Sequence, residues 1–282
     1  MVENQRWLDI FAHVILMLGV ATVAFPVYVA VIASTHTSAA FMSGTIPLLP
    51  STHAPASYGD VLAGGVAAQM SVPISLMLFN SMIMALLIAT GKIAISIISA
   101  FAIVYFRFPF RVLAFWIIFI TLMLPVEVRI VPTFAVIADL GLLNSYAGLT
   151  VPLMASATAT FLFRQVFLTI PDEMMEAARI DGARPMKFFR DILLPLSQTN
   201  IAALFVILFI YGWNQYLWPL LITTDSGYYT IVAGIKRMAD VVESEPLWNY
   251  IMAVTVLAML PPVAVVIFMQ RLFVKGLVDS EK

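Results

Sequence analysis

The stretch PDEMMEAARIDGARPMKFFRDILLPL, Pro171 to Leu196, holds nine charged residues in a chain that is only 11% charged. Polarity of that density belongs in water or against another protein. Pro171 followed by Asp172 and Glu173 suits the first turn of a helix, where no backbone donor is needed and negative charge meets the positive end of the dipole. A short helix is therefore predicted through Ile180. Gly182 is the residue able to take positive φ just past a helix end, and Pro185 starts a second short helix reaching about Leu193. The expected product is helix, turn, helix. Met174, Ala177 and Ala178 share one face of the first helix, and two alanines there allow a partner's backbone to come close.

The rest of the chain is the opposite of this island. Of its 282 residues 62% are hydrophobic, and its mean hydropathy is +0.98. Soluble domains stay near ~45–50% apolar, so the chain reads as an integral membrane protein. The net charge of −1 and dispersed basic residues leave no nucleic-acid footprint. With no cysteine, disulfides, zinc–thiolate sites and thiol catalysis are excluded. His13, His36 and His53 have no ligand spacing, so no metal site is expected.

Apolar segments are expected at about His13 to Ala33, Leu76 to Tyr105, Val112 to Phe134, Tyr146 to Phe163, Asn200 to Ile222 and Tyr250 to Met269. About 20 residues suffice to cross a bilayer, which makes six spans in an all-α polytopic protein. The first is too long for a signal-peptide core and is read as an uncleaved span. The third is interrupted by Pro125 and Pro132. Residues 34–75 carry Asp60 as their only charge and form a loop on the far side of the membrane. The predicted division is 1–75 for the first span and this loop, 76–272 for the main transmembrane domain with the polar island 171–196 inside it, and 273–282 for a tail.

Charge sets the orientation. With the amino terminus inside, Arg6, Arg107, Arg111, Arg164, Arg179, Arg184, Lys187, Arg190, Arg271, Lys275 and Lys282 are cytoplasmic. Only Arg129, Lys236 and Arg237 are left outside, and eleven against three follows the positive-inside rule. Both termini and the polar island are then cytoplasmic.

Three segments of the island carry a resemblance. Glu176-Ala177-Ala178, Asp181-Gly182-Ala183 and Ile192-Leu193-Leu194-Pro195 resemble the EAA loop of the membrane subunits of binding-protein-dependent ABC importers, with the spacing E-A-A, three residues, G, nine residues, I-x-L-P. The plainer readings are a solvated amphipathic loop and a DNA-binding helix-turn-helix. The resemblance implies a type I ABC importer permease in a bacterial inner membrane. Its coupling helix docks on a cytoplasmic ATPase through Glu176, Ala177, Ala178, Asp181 and Gly182. It further implies a second permease subunit forming a heterodimer, two ATPase subunits and a periplasmic solute-binding protein, with lipid around the spans. From about Asn80 onward the chain looks like the carbohydrate-importer branch, as in Phe106-Arg107-Phe108 and in Trp213 to Leu220. The runs LMLPVEVRIVPT, SYAGLTVPLMASATATFLFRQ, FIYGWNQYLWPLL and GLVDSEK are similar to its glycerol-phosphate members.

No catalytic constellation is visible, and the chain is not expected to be an enzyme. Its only Gly-Lys pair, Gly91-Lys92, is followed by Ile93 and has Leu86 where the first P-loop glycine would stand. The chain thus binds no cofactor, and ATP with magnesium is handled by the partner ATPase. Lys92 lies deep in the second span, where a charge costs several kcal/mol and is either functional or paired. It is a candidate for the substrate path, with snorkelling or a structural contact as the alternatives. Asn214 and Gln215 are further candidates, though such residues also hold membrane helices together. Glu127 and Arg129, two apart, are expected to face different partners. The rival functions are import of another sugar or polyol and secondary transport, for which neither an internal repeat nor a carboxylate relay is seen.

Overall fold

A computed structural model describes residues 6–41, 48–64, 72–121, 126–240 and 246–279, and among these every regular element is helical. Pro125 and Lys282 lie outside the described residues, as do the side chains of Arg6, Glu127, Arg271 and Lys275. The chain divides into two compact units, residues 1–75 with 234–260 and residues 76–233 with 261–282.

In the first unit, α1 (Arg6–Ala33) is apolar on every side and only 11% of its spanning window is buried. A helix with no polar face and so little cover within its own chain suits lipid or a partner helix. Its end is fixed to α2 (Ala54–Ala63), where the Ser34 and Tyr58 hydroxyls hydrogen bond at 2.8 Å. Residues up to Leu260 of α13 (Trp248–Asp279) join the same unit. The Ser38 hydroxyl donates to Asn249 Oδ1 at 2.5 Å, and the Tyr250 hydroxyl donates to Asp60 at 2.8 Å.

The second unit is built on α3 (Ile74–Tyr105), a 32-residue helix. At its start the Asn80 amide donates to Gly227 O at 2.9 Å and Tyr229 O at 3.0 Å, and accepts from the Tyr146 hydroxyl at 2.7 Å. A single buried asparagine thereby ties two distant loops to one helix end, with both its donor and its acceptor satisfied. Below it, Met84 and Ile88 pack with Ile137, Leu149, Leu153, Trp218 and Ile222. The Trp218 indole donates to Gly148 O at 3.1 Å, so this tryptophan is a packing residue.

Trp7–Ala33, Ile74–Tyr105 and Trp248–Gln270 are each long and apolar enough to cross a bilayer. Two bent pairs bring the number to five if each pair counts as one span. These are α6 (Tyr146–Leu153) with α7 (Ala157–Leu168), bent by 50°, and α9 (Pro185–Leu196) with α10 (Gln198–Trp213), bent by 72°. The described residues of the expected third span form α4 (Arg111–Ile120) and α5 (Val126–Asp139), neither of them long enough alone.

Two expected spans are therefore broken. The fourth, read as continuous from Tyr146, stops at Leu153 and restarts where the Ser156 hydroxyl accepts from Ala159 N at 3.3 Å, an N-cap. The fifth, read as continuous from Asn200 to Ile222, stops at Trp213 and resumes as α11 (Leu217–Ile222). Pro219 explains the second break. In a continuous helix its ring would clash with the carbonyl of Gln215, whereas in the first turn of α11 it needs no donor.

Candidate functional site

The polar island folds as its residues suggest. α8 (Asp172–Ile180) begins after Pro171 with Asp172 and Glu173 in its first turn and has Arg179 in its last. It ends with Gly182 at φ +72. Gly182 N–H donates to Arg179 O at 3.0 Å and Ala183 N–H to Ala178 O at 2.8 Å, the paired bonds of a Schellman motif. A Cβ built on Gly182 would meet no atom within 4 Å. The glycine is thus required by its backbone angle, and the space around it is open.

Pro185 then starts α9, which passes through a π-helical turn at Phe189–Leu193. Phe188 and Phe189 turn inward. Their rings lie 5.2 Å from Tyr105 and 4.8 Å from Phe101, both near the end of α3. The Tyr105 hydroxyl donates to Phe167 O at 3.3 Å, which adds the end of α7. The polar island is therefore packed against the end of α3 through close aromatic contacts.

The residues expected to couple separate by exposure. Glu176, Ala177, Asp181 and Gly182 are exposed, whereas Ala178 is buried within its own chain. The expected face of Met174, Ala177 and Ala178 thus splits, with Met174 and Ala177 outward and Ala178 serving the packing of α8. Ile180 and Met186, 86% and 66% exposed, join the outward surface and were not picked out from sequence. Their signal was available, since both are large apolar residues inside a charged stretch. The Arg190–Asp191 ion pair, 2.8 Å long, is exposed and adds little stability.

Deeper in the second unit, Lys92 is 7% exposed. Its Nζ lies 3.8 Å from the centroid of the Tyr211 ring, and among the described residues it makes no hydrogen bond or ion pair. The ring face is a weak but real partner for a cation kept from water. Arg129, an exposed residue of α5, is the charged group that bears on Lys92 electrostatically. The neighbours of Lys92 are fitted to a break: a Cβ on Gly91 would meet Met154 at 2.7 Å, and the Ser96 hydroxyl donates to Ser156 O at 3.2 Å. Both partners belong to the bend between α6 and α7. Gly212 in turn lets α10 lie against α3, since a Cβ there would meet Ala85 Cα at 3.0 Å.

Asn214 and Gln215 sit in the break between the end of α10 and the start of α11. The Gln215 amide donates to Tyr211 O at 3.2 Å, while the Asn214 side chain is exposed. Lys92 and Gln215 therefore meet at Tyr211, a residue not singled out from sequence because a tyrosine in an apolar run carries no distinguishing signal. Among the described residues no group of three or more His, Cys, Asp or Glu is placed to hold a metal.

Residues 92–279 match the family described as binding-protein-dependent transport system inner membrane component. Over all 282 residues, and all of each relative, the chain is 61% identical to the sn-glycerol-3-phosphate transport system permease protein UgpE of Agrobacterium fabrum and 57% identical to that of Rhizobium meliloti. The same protein of Salmonella typhi is 61% identical over its full length. Among solved structures, a chain of a bacterial ABC transporter involved in the import of the acidic polysaccharide alginate superposes with a TM-score of 0.81. It is 22% identical, covers 96% of this chain, and is itself covered to 98%, which establishes a shared fold. With an EAA-type loop folded about Gly182, a family match from Lys92 onward and full-length relatives, the chain belongs to the inner membrane components of binding-protein-dependent transport systems.

Proposed function

We propose that this chain is the permease subunit of an ATP-driven importer of sn-glycerol 3-phosphate. The observation that carries the reading is identity of 57–61%, end to end, with permeases named for that solute. The chain forms the path with a second permease subunit. It crosses the membrane six times with both termini in the cytoplasm, and residues 76–272 act as the transporter domain. A periplasmic binding protein delivers the solute, and two cytoplasmic ATPase subunits bind and hydrolyse ATP with magnesium.

The mechanism follows from the coupling loop. α8 and the turn after it present Ala177, Asp181 and Gly182, with Met174, Ile180 and Met186 beside them and Glu176 at the edge toward the cavity side, to a cleft on the ATPase. Closure of the ATPase pair on ATP pulls α8 and α9 together, because the Schellman turn at Gly182 joins them rigidly. Phe188 and Phe189 pass the movement to the end of α3. Higher in α3, Gly91 and Ser96 hold the bend between α6 and α7, and Gly212 holds α10 close. Tilting of α3 therefore reaches Lys92, Asn214 and Gln215, which line the path. Lys92 supplies a cation for the phosphate where the surroundings are apolar, and Tyr211 covers that cation when no phosphate is present.

Uptake of labelled solute by cells whose own glycerol-phosphate permease gene is deleted tests the reading, with the other importer subunits left in place. This chain is expected to restore uptake of sn-glycerol 3-phosphate and not of glycerol. Restored uptake of an unphosphorylated sugar in its place would overturn the substrate assignment.

A further inference from the structure

A cavity of about 1030 Å³ lies behind the coupling helix, between α8, the end of α7, the end of α3 and the turn at residues 106–111. Arg107 and Arg111 line it from the turn, and Arg179, Asp172 and Glu176 from α8. Opposite charges that share a cavity normally pair. Among the described residues, however, the only ion pairs within 4.0 Å are Arg190–Asp191 and Lys236–Asp240, and none of the five makes a side-chain hydrogen bond. The arginine wall and the carboxylates on α8 are held apart by a gap.

The turn itself is FRFPFR, Phe106 to Arg111, at the end of a helix long enough to cross a bilayer. Phe106, Phe108 and Phe110 are 42%, 38% and 76% exposed. Phe110 holds φ +62, a left-handed angle that a bulky side chain rarely adopts. Exposed aromatics interleaved with arginines at the end of a spanning helix belong at the level of lipid headgroups, and basic pockets at that depth on the cytoplasmic side take lipid phosphates. Soluble protein has the other side of α8, where Ala177 and Ile180 face outward, whereas Ala178 faces the cavity and is buried.

We propose that this cavity binds the headgroup of a membrane phospholipid bearing an amine, phosphate on Arg107 and Arg111 and ammonium on Asp172. A zwitterion answers both unpaired signs, which an anionic headgroup does not. Bound there, the lipid bridges the turn after α3 to the coupling helix and stiffens the link that transmits ATPase closure.

The test is native mass spectrometry of the assembled importer purified from lipid bilayers containing equal parts of phosphatidylethanolamine, phosphatidylglycerol and phosphatidylcholine. Lipid retention does not depend on transport, so a failure here and a failure of the importer reading are told apart. The unmodified complex is expected to retain phosphatidylethanolamine above phosphatidylglycerol, which has no cation, and above phosphatidylcholine, whose trimethylammonium has no N–H to donate to Asp172. The Arg107→Gln, Arg111→Gln variant should lose that retention by more than about tenfold, since each of the two charge-assisted contacts is worth roughly that factor. Arg107→Lys with Arg111→Lys keeps both charges and should retain most of it, while Asp172→Asn should erase the preference over phosphatidylglycerol. The lysine variant and Asp172→Asn also stand in should the glutamine variant fail to assemble. Preferential retention of phosphatidylglycerol, equal retention in all variants, or displacement of the lipid by millimolar inorganic phosphate would overturn the proposal, the last by showing a site for free anions.

Discussion

At Gly182 the chain turns with φ at +72, and no atom waits where a side chain would project. The consequences of substitution are therefore those of backbone conformation alone. A left-handed angle costs an ordinary residue ~1–2 kcal/mol, and a β-branched one more. Gly182→Val should redirect α9 relative to α8 and abolish uptake while the protein still inserts. Gly182→Asn, which tolerates the angle, should keep a substantial fraction. Equal uptake by the two variants, measured at equal membrane abundance, would show that the turn is not what couples. Lys92 gives a second prediction at this scale. If its cation meets the phosphate, Lys92→Met removes a charge-assisted contact worth ~1.5–3 kcal/mol, which is about ten- to a hundredfold in uptake efficiency. Lys92→Arg should retain more activity than Lys92→Met. Basal ATP hydrolysis by the complex should survive in both, since the coupling loop is untouched. A Met variant with normal glycerol-phosphate uptake would make Lys92 a packing residue held by Tyr211.

Among the elements, those set by local chemistry were legible in the sequence and those set by long-range packing were not. Pro171, the acidic first turn, Gly182 and Pro185 each act within a few residues, and α8, its Schellman turn and the start of α9 follow from them. The broken spans were harder. An apolar run from Asn200 to Ile222 looks continuous by hydropathy, and only Pro219, placed to open a new helix, marks the division at Asn214. The break after Leu153 has local marks in Pro152 and the Ser156 cap, but its fit against Ser96 and Gly91 of α3, about 60 residues away, has none. Tyr211 was missed for the same reason, since its role comes from the distant Lys92. Orientation of the elements is open to direct test, because the chain has no native cysteine. Thr52 and Lys187 are both exposed. In intact cells an impermeant thiol reagent should label Thr52→Cys and leave Lys187→Cys untouched until the cells are opened. The reverse pattern would put the coupling loop on the wrong side for an ATPase.

Taken whole, the molecule presents an apolar helix with little internal cover, a second helix that reaches from a loop-tying asparagine to the coupling contacts, and a polar loop with open space at its turn. Each is unfinished by itself. α1 calls for lipid or another membrane helix, and the surface of α8 with Ile180 and Met186 exposed calls for a protein. The central claim is that ATP hydrolysed elsewhere moves this chain to pass a phosphorylated solute. The most direct measurement places the purified complex of both permeases and two ATPases in proteoliposomes, with loaded binding protein on the periplasmic side and ATP on the other. The account predicts accumulation of sn-glycerol 3-phosphate against its gradient, lost without ATP, without the binding protein, or with Gly182→Val in this chain. Accumulation that persists without ATP and follows an imposed ion gradient would contradict it.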